Sequence, residues 1–179
     1  MTLPQGIELA IAYILDKIGG KASLDEIHKA TGISKLVLRK YLWHCQRRKL
    51  IKKDLGVYYI TNTGLEVIRR SKILNIGYRM LAVVFYDRIE LITLGRKSRI
   101  RAVRKDIIVN LLRRGLISRD EIKNSPNRRE ILAALRILRV LRLTKSRGNV
   151  IYISQDGVDR LLTIGIDPSK VYNTTADND

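Results

Sequence analysis

The chain has one cysteine, Cys45, so it can form no intrachain disulfide, which suits a reducing compartment. Histidine is nearly as scarce. His28, His44 and Cys45 are the only nitrogen or sulfur side chains of the kind that usually hold zinc, and adjacent His44 and Cys45 would project about 100° apart on a helix. No metal site is expected. No apolar run approaches the roughly 18 residues needed to span a membrane. Met1-Thr2-Leu3-Pro4-Gln5 has no basic region leading into an apolar core and cleavage site, so a cytoplasmic protein is expected. The Gly-x-x-x-x-Gly-Lys-Ser/Thr loop, the Gly-x-Ser-x-Gly elbow and the His-Glu-x-x-His element are all missing. The carboxylates fall in helix caps such as Asp25-Glu26 and Asp120-Glu121, where they complement positive helix ends, and they form no cluster able to hold a catalytic metal. Neither an enzyme nor a cofactor is expected.

Negative charge is the other shortage: 17 Asp and Glu face 35 Lys and Arg, a net charge of +18 over 179 residues. Such an excess concentrates polyanions near the surface and drives phosphate contact through counterion release, so nucleic acid is the leading partner, although a basic surface also suits ribosomes, acidic proteins or anionic lipid. With 45% apolar residues the chain can bury a core and is long enough for two small domains. The net charge is +7 over residues 1–70, +3 over 71–98, +10 over 99–165 and −2 over 166–179, so both halves are basic and the tail is not. That tail is polar enough to be expected disordered.

One pattern occurs twice. Residues 50–64, from Leu50-Ile51-Lys52-Lys53 to Thr63-Gly64, align without gaps on Leu143-Thr144-Lys145-Ser146 to Asp156-Gly157, 93 residues later. Each copy reads as a short strand, a Gly-bearing basic turn, a returning β-branched and aromatic strand, and a cap opening another helix. In the first half, Ile7, Ile11, Ile14, Leu15 and Ile18 recur at helical spacing before Gly19-Gly20. Ser23-Leu24-Asp25-Glu26 has the form of a capping box, with Leu24, Ile27 and Ala30 facing inward. Thr31-Gly32-Ile33-Ser34 supplies a turn and a new N-cap, opening a helix from about Lys35 to Lys49 with Leu38, Leu42 and Cys45 on one face.

This order resembles the winged helix-turn-helix DNA-binding superfamily, notably the small prokaryotic and archaeal repressor-type regulators. The resemblance is carried by Ile33 to Ile51 and the following hairpin from Lys52 to Ile60, and it covers most of residues 5–70. In that family the start and outward positions of the third helix enter the major groove, and the wing reaches the backbone or minor groove. The contact positions this implies are Ser34, Lys35, Leu36, Arg39, Lys40 and Trp43, with Lys52 and Lys53 on the wing. The chain departs from the family at Lys49, where relatives often place Gly before the Leu-Ile pair. Trp43 falls on the outward side by alignment, although an aromatic at helical spacing also suits a core. Tyr58, Tyr59 and Tyr152 are expected to pack the hairpins.

The second half repeats the plan. Val103, Ile107, Ile108, Leu111 and Leu112 form an apolar face, Ser118-Arg119-Asp120-Glu121 repeats the box, and Ile122 matches Ile27. After Ser125-Pro126-Asn127, Ile131, Leu135 and Leu138 take the places of Leu38, Leu42 and Cys45. Arg128 and Arg129 stand opposite Lys35 and Leu36, but Leu132 and Ala133 stand opposite Arg39 and Lys40, so fewer polar side chains can read base edges. Arg136, Arg139, Arg142, Lys145 and Arg147 still supply charge, which suits a phosphate-contacting or auxiliary DNA reader, with the apolar positions open to protein contact. Between the halves, Tyr78, Leu81, Phe85, Ile89 and Ile92 fit a helical stripe that needs covering, so a helical connector and a homodimer through 78–92 are expected. Val83 to Tyr86 and Ile89 to Leu94 also have strand composition. Arg99 and Arg101 belong to a basic run from Arg96 to Lys105 suited to gripping backbone.

The expected architecture is α+β, mainly α: a winged-helix module over 1–70, a connector over 71–98, a second module over 99–165 and a disordered tail over 166–179. The expected function is double-stranded DNA binding by a transcriptional regulator. The alternatives are a tandem winged-helix protein scaffold or an RNA-binding protein.

Overall fold

The computed structural model describes residues 6–154 and 158–167. The protein is a mixture of helices and antiparallel sheets. It divides into two compact units, residues up to 83 together with 90–100, and 84–89 together with residues from 101 onward. Among the described residues, no helix is long and apolar enough to cross a membrane. The part of the expected tail from 168 onward, and the second copy's expected cap at 155–157, lie outside the described residues.

In the first unit, α1 (Gly6–Lys17) buries Ile7, Ile11 and Leu15, whereas Ile18 lies past the helix end and is exposed. Gly19 and Gly20, at φ +108° and +77°, turn the chain into a three-residue strand, β1 (Lys21–Ser23). The capping box then closes as expected at the start of α2 (Leu24–Thr31): Ser23 Oγ accepts from the Glu26 N–H at 3.3 Å, and Glu26 Oε2 accepts from the Ser23 N–H at 2.7 Å. These bonds to Ser23 hold the Glu26 carboxyl below its ordinary pKa. Next comes α3 (Lys35–Arg47), with Leu38, Leu42 and Cys45 wholly buried. The hairpin β2 (Ile51–Asp54) and β3 (Val57–Ile60) pairs Ile51 with Ile60 and Asp54 with Val57, and β1 completes the sheet in the order β1-β3-β2. Thr61 caps α4 (Asn62–Arg70) by accepting from the Gly64 N–H at 2.9 Å. A Cβ on Gly64 would collide with the Leu50 carbonyl oxygen, so only glycine lets α4 approach that closely.

Lys49 takes the backbone role of the glycine expected at this position. Lys49 adopts φ +58°, the left-handed conformation that glycine usually supplies, and the Leu50 N–H reaches back to the Cys45 carbonyl at 2.9 Å. The chain thereby leaves α3 with Leu50 and Ile51 pointed into the core.

The connector is a correction. Residues expected as one helix form β4 (Lys72–Gly77), β5 (Met80–Val84) and β6 (Arg88–Thr93), which join β7 (Arg99–Arg104) in a four-stranded meander, β4-β5-β6-β7. The helical spacing from Tyr78 to Ile92 was accidental. The apolar stretches are short and rich in β-branched residues, and they are interrupted at Gly77-Tyr78-Arg79 and at Tyr86-Asp87, which suits strands and turns. Leu81, Ile89 and Ile92 are buried within the single chain, Phe85 is half-buried and Tyr78 is exposed. The apolar stripe that motivated a homodimer therefore does not exist. Val103 also belongs to β7 and not to the helix that follows it.

The second unit continues with α5 (Lys105–Arg114), β8 (Leu116–Ser118), α6 (Arg119–Asn124), α7 (Arg128–Val140), β9 (Thr144–Arg147), β10 (Val150–Ile153) and a 3-10 helix at Val158–Ile164. Its sheet has the order β8-β10-β9, with Ile151 opposite Ile117 and Tyr152 opposite Lys145. Ile107, Ile108, Leu111, Leu112, Ile122 and Leu138 are buried as expected, whereas Ile131 is only half-buried. The second capping box is half formed. Ser118 Oγ accepts from the Glu121 N–H at 3.1 Å, but the Glu121 carboxylate turns to Arg114, with two contacts of 2.5 and 2.9 Å. Arg142, the counterpart of Lys49, repeats its backbone at φ +60°.

Two stability predictions arise here. Buried Glu8 on α1 meets the Arg48 guanidinium at 2.6 Å. Arg48→Ala should cost about 3–5 kcal/mol in urea unfolding, while joint Glu8→Leu and Arg48→Met replacement should recover most of that loss. Lys49→Gly should raise stability by up to about 1 kcal/mol in thermal unfolding, because relief of the left-handed backbone exceeds the added unfolded-state entropy. Lys49→Val should do the opposite.

Candidate nucleic-acid interface

At about 100° per residue, the side of α3 opposite Leu38, Leu42 and Cys45 carries Leu36, Arg39, Lys40, Trp43 and Arg47. All five are exposed: Leu36 at 78% and Trp43 at 50% are apolar groups standing in water among three cations. Trp43 is therefore outward and not core. The Arg47 guanidinium lies 4.9 Å from its ring centroid, and His44 meets it edge-on at 4.9 Å.

Two expected contact residues are less available than the resemblance implied. Ser34 occupies the N-cap position of α3, but its side chain makes no capping bond and is half-buried. Lys35 pairs with Asp25 of α2, which holds the Asp25 carboxyl below its ordinary pKa. Lys35 thus ties the two helices of the turn together.

On the hairpin, Lys52 and Lys53 are exposed, with their ammonium groups 5.7 Å from the Tyr59 ring and 5.4 Å from the Tyr58 ring. Tyr58 is buried and Tyr59 half-buried, so both pack the hairpin, whereas Tyr152 of the second hairpin is exposed. The tip is Leu55-Gly56, both at positive φ, and it leaves Leu55 97% exposed. Nothing in the residue pattern marked Leu55 for attention, since an isolated leucine in a turn carries no motif.

Arg79 was also missed. It stands at the β4-β5 turn with φ +52°, lies against Gly32, and donates from Nη2 to the Lys29 carbonyl at 2.6 Å. A cation at the C-terminal end of α2 is favourable and braces the α2-α3 turn.

In the second unit Arg128, Arg129, Arg136, Lys145 and Arg147 are exposed, as are Arg99 and Arg101 of β7. Ala133 departs from its counterpart Lys40: it is 1% exposed, and Ile137 one turn on is equally buried. The second hairpin's tip is tied down, because Asn149 Nδ2 donates to Asp120 Oδ2 at 2.6 Å and the Arg119 N–H donates to the Asn149 carbonyl at 2.8 Å.

Several acidic side chains stand in ion pairs. Glu8 meets Arg48, Asp25 meets Lys35, Glu121 meets Arg114, and Glu130 meets Arg104 at 3.6 Å. The Arg114 pair holds the Glu121 carboxyl below its ordinary pKa. Exposed cations stand on α3, α7, both hairpins and β7. Among the described residues, no group of three or more His, Cys, Asp or Glu is placed to hold a metal. Comparison with protein-family models, curated proteins and solved structures returned no match.

Burial, followed by the Glu8 carboxylate, pushes the Cys45 thiol up to about 12. Cys45 should therefore resist a disulfide-exchange reagent at pH 8 in the native protein and react stoichiometrically in urea. Rapid native labelling would contradict the burial of the inner face of α3.

Proposed function

We propose that the protein is a double-stranded DNA-binding regulator built from two winged helix-turn-helix units related to repressor-type regulators. The third helix of the first unit reads base edges, and the hairpins grip phosphates. The observation that carries this reading is the exposed face of α3, where Arg39, Lys40 and Arg47 alternate with Leu36 and Trp43. Arginine can bond the guanine edge in two places, and apolar side chains suit the thymine methyl group in the same groove. Lys52, Lys53, Lys145 and Arg147 lie on short hairpins and supply sequence-independent attraction.

A second reading, assembly with a protein partner, is favoured by exposed Leu36 and Leu55. Net charge supports the first reading, since +18 favours a polyanion and exposed leucines alone do not.

Duplex binding should weaken by roughly 10³ to 10⁵ between 50 and 200 mM salt if six to ten phosphates are neutralised. Fluorescence anisotropy across that range tests it, and no duplex binding at the lowest salt rejects the proposal. Arg39→Ala should relax preference at one base pair at a cost of about 1–3 kcal/mol, whereas Arg147→Ala should weaken unrelated duplexes alike.

A further inference from the structure

The outer face of α7 carries an arrangement that the auxiliary role of the second unit does not require. Arg129, Leu132, Arg136, Arg139 and Val140 lie within one exposed arc of about 100°, since the spacing i, i+3, i+7, i+10 and i+11 returns to one side of a helix. Its only carboxylate, Glu130, lies off this arc and meets Arg104 at 3.6 Å. The arc is therefore wholly cationic and apolar.

Alignment with the first unit gives the arc its meaning. Arg129 occupies the place of Leu36, Leu132 that of Arg39, and Arg136 that of Trp43. The same three outward positions in both units thus carry an alternation of apolar and cationic side chains, in inverted order. Pure phosphate gripping has no use for Leu132 at 41% exposure in the middle of the arc. The sector that differs between the helices is the adjoining one, where Ala133 and Ile137 are buried and Lys40 and His44 are not. Loss of Lys40's counterpart therefore reflects packing beside the arc and leaves the arc itself intact.

We infer that α7 is a second base-reading helix, and that this chain recognises two different short sequence elements, one per unit, the α7 element read through Arg129, Leu132 and Arg136. The occupant is duplex DNA and not an acidic protein, because arginines able to bond a base edge in two places alternate with an apolar group suited to thymine methyls. The inference rests on the DNA-binding reading proposed above and replaces an auxiliary second unit with a second reader.

The test is selection of bound fragments from random duplex DNA by the full chain and by three variants: Arg39→Ala, the double variant Arg129→Ala with Arg136→Ala, and Arg136→Lys. The wild-type chain should enrich two elements. Arg39→Ala should erode one, and the double variant should erode the other by on the order of 10- to 100-fold in discrimination. Arg136→Lys keeps the charge and the fold but loses the planar fork, so it should lose preference while keeping nonspecific affinity and its salt dependence. The inference is overturned if the double variant weakens all duplexes alike, if Arg136→Lys retains full preference, or if both leave DNA binding unchanged, which would hand this face to another partner. A wild-type chain that binds duplexes but enriches no sequence removes base reading from both helices, and one that binds no duplex removes the DNA reading itself.

Discussion

The turn that ends each third helix governs what the rest of either unit can do. Lys49 and Arg142 reverse the chain in left-handed backbone, and the next N–H bonds back across the turn, Leu50 to Cys45 and Leu143 to Leu138, each at 2.9 Å. Those bonds satisfy helix-end carbonyls and deliver Leu50 and Leu143 into the core. The returning strand is then pinned on both sides: the Ile60 N–H donates to Gly20 and the Thr61 N–H to Leu50, as the Ile153 N–H does to Gly115 and the Ser154 N–H to Leu143. Helix and hairpin are consequently fixed to one another within each unit. A cation stands at the bend both times, exposed, where glycine would be less strained.

Electrostatics follows the same division between scaffold and surface. Buried Glu8 binds α1 to half-buried Arg48 at the end of α3, while Asp25–Lys35 and Glu121–Arg114 brace neighbouring helices at the surface. The carboxylates held in such pairs are already offset by a partner, α3 has no carboxylate, and the single one of α7 lies off its exposed arc. A chain with the same net charge but scattered carboxylates would have no comparable local field.

Much of this was readable from the residues where the signal was local and strong. The capping box at Ser23, the buried trio Leu38, Leu42 and Cys45, and both hairpins depend on chemistry within a few residues, and the structure contains them. The connector failed because Tyr78, Leu81, Phe85, Ile89 and Ile92 satisfy helical spacing by coincidence, while the strands that form there gain their stability from partners in the meander. The three-residue strands β1 and β8 are too short to show any period, and they exist only because β3 and β10 offer an edge. The site was legible as a set of outward positions. It was not legible that Lys35 would be paired with Asp25, that Ala133 would be buried, or that Arg79 would reach the α2-α3 turn from the other end of 50 residues.

The burial of Ala133 also explains how two copies of one plan can diverge without losing a helix. In α3 the buried residues Leu38, Leu42 and Cys45 occupy a narrow arc, which leaves a broad face open. In α7, Ala133, Ala134, Leu135, Ile137 and Leu138 widen the buried arc and shift the cations to what remains. A lysine at 133 would have to carry its charge into that covered sector, where desolvation is unfavourable, whereas alanine fits and favours the helix. The small residue at 133 is thus a packing requirement of the second unit. The arginines at 129 and 136, which contribute nothing to the buried face of α7, are what distinguish its outer surface.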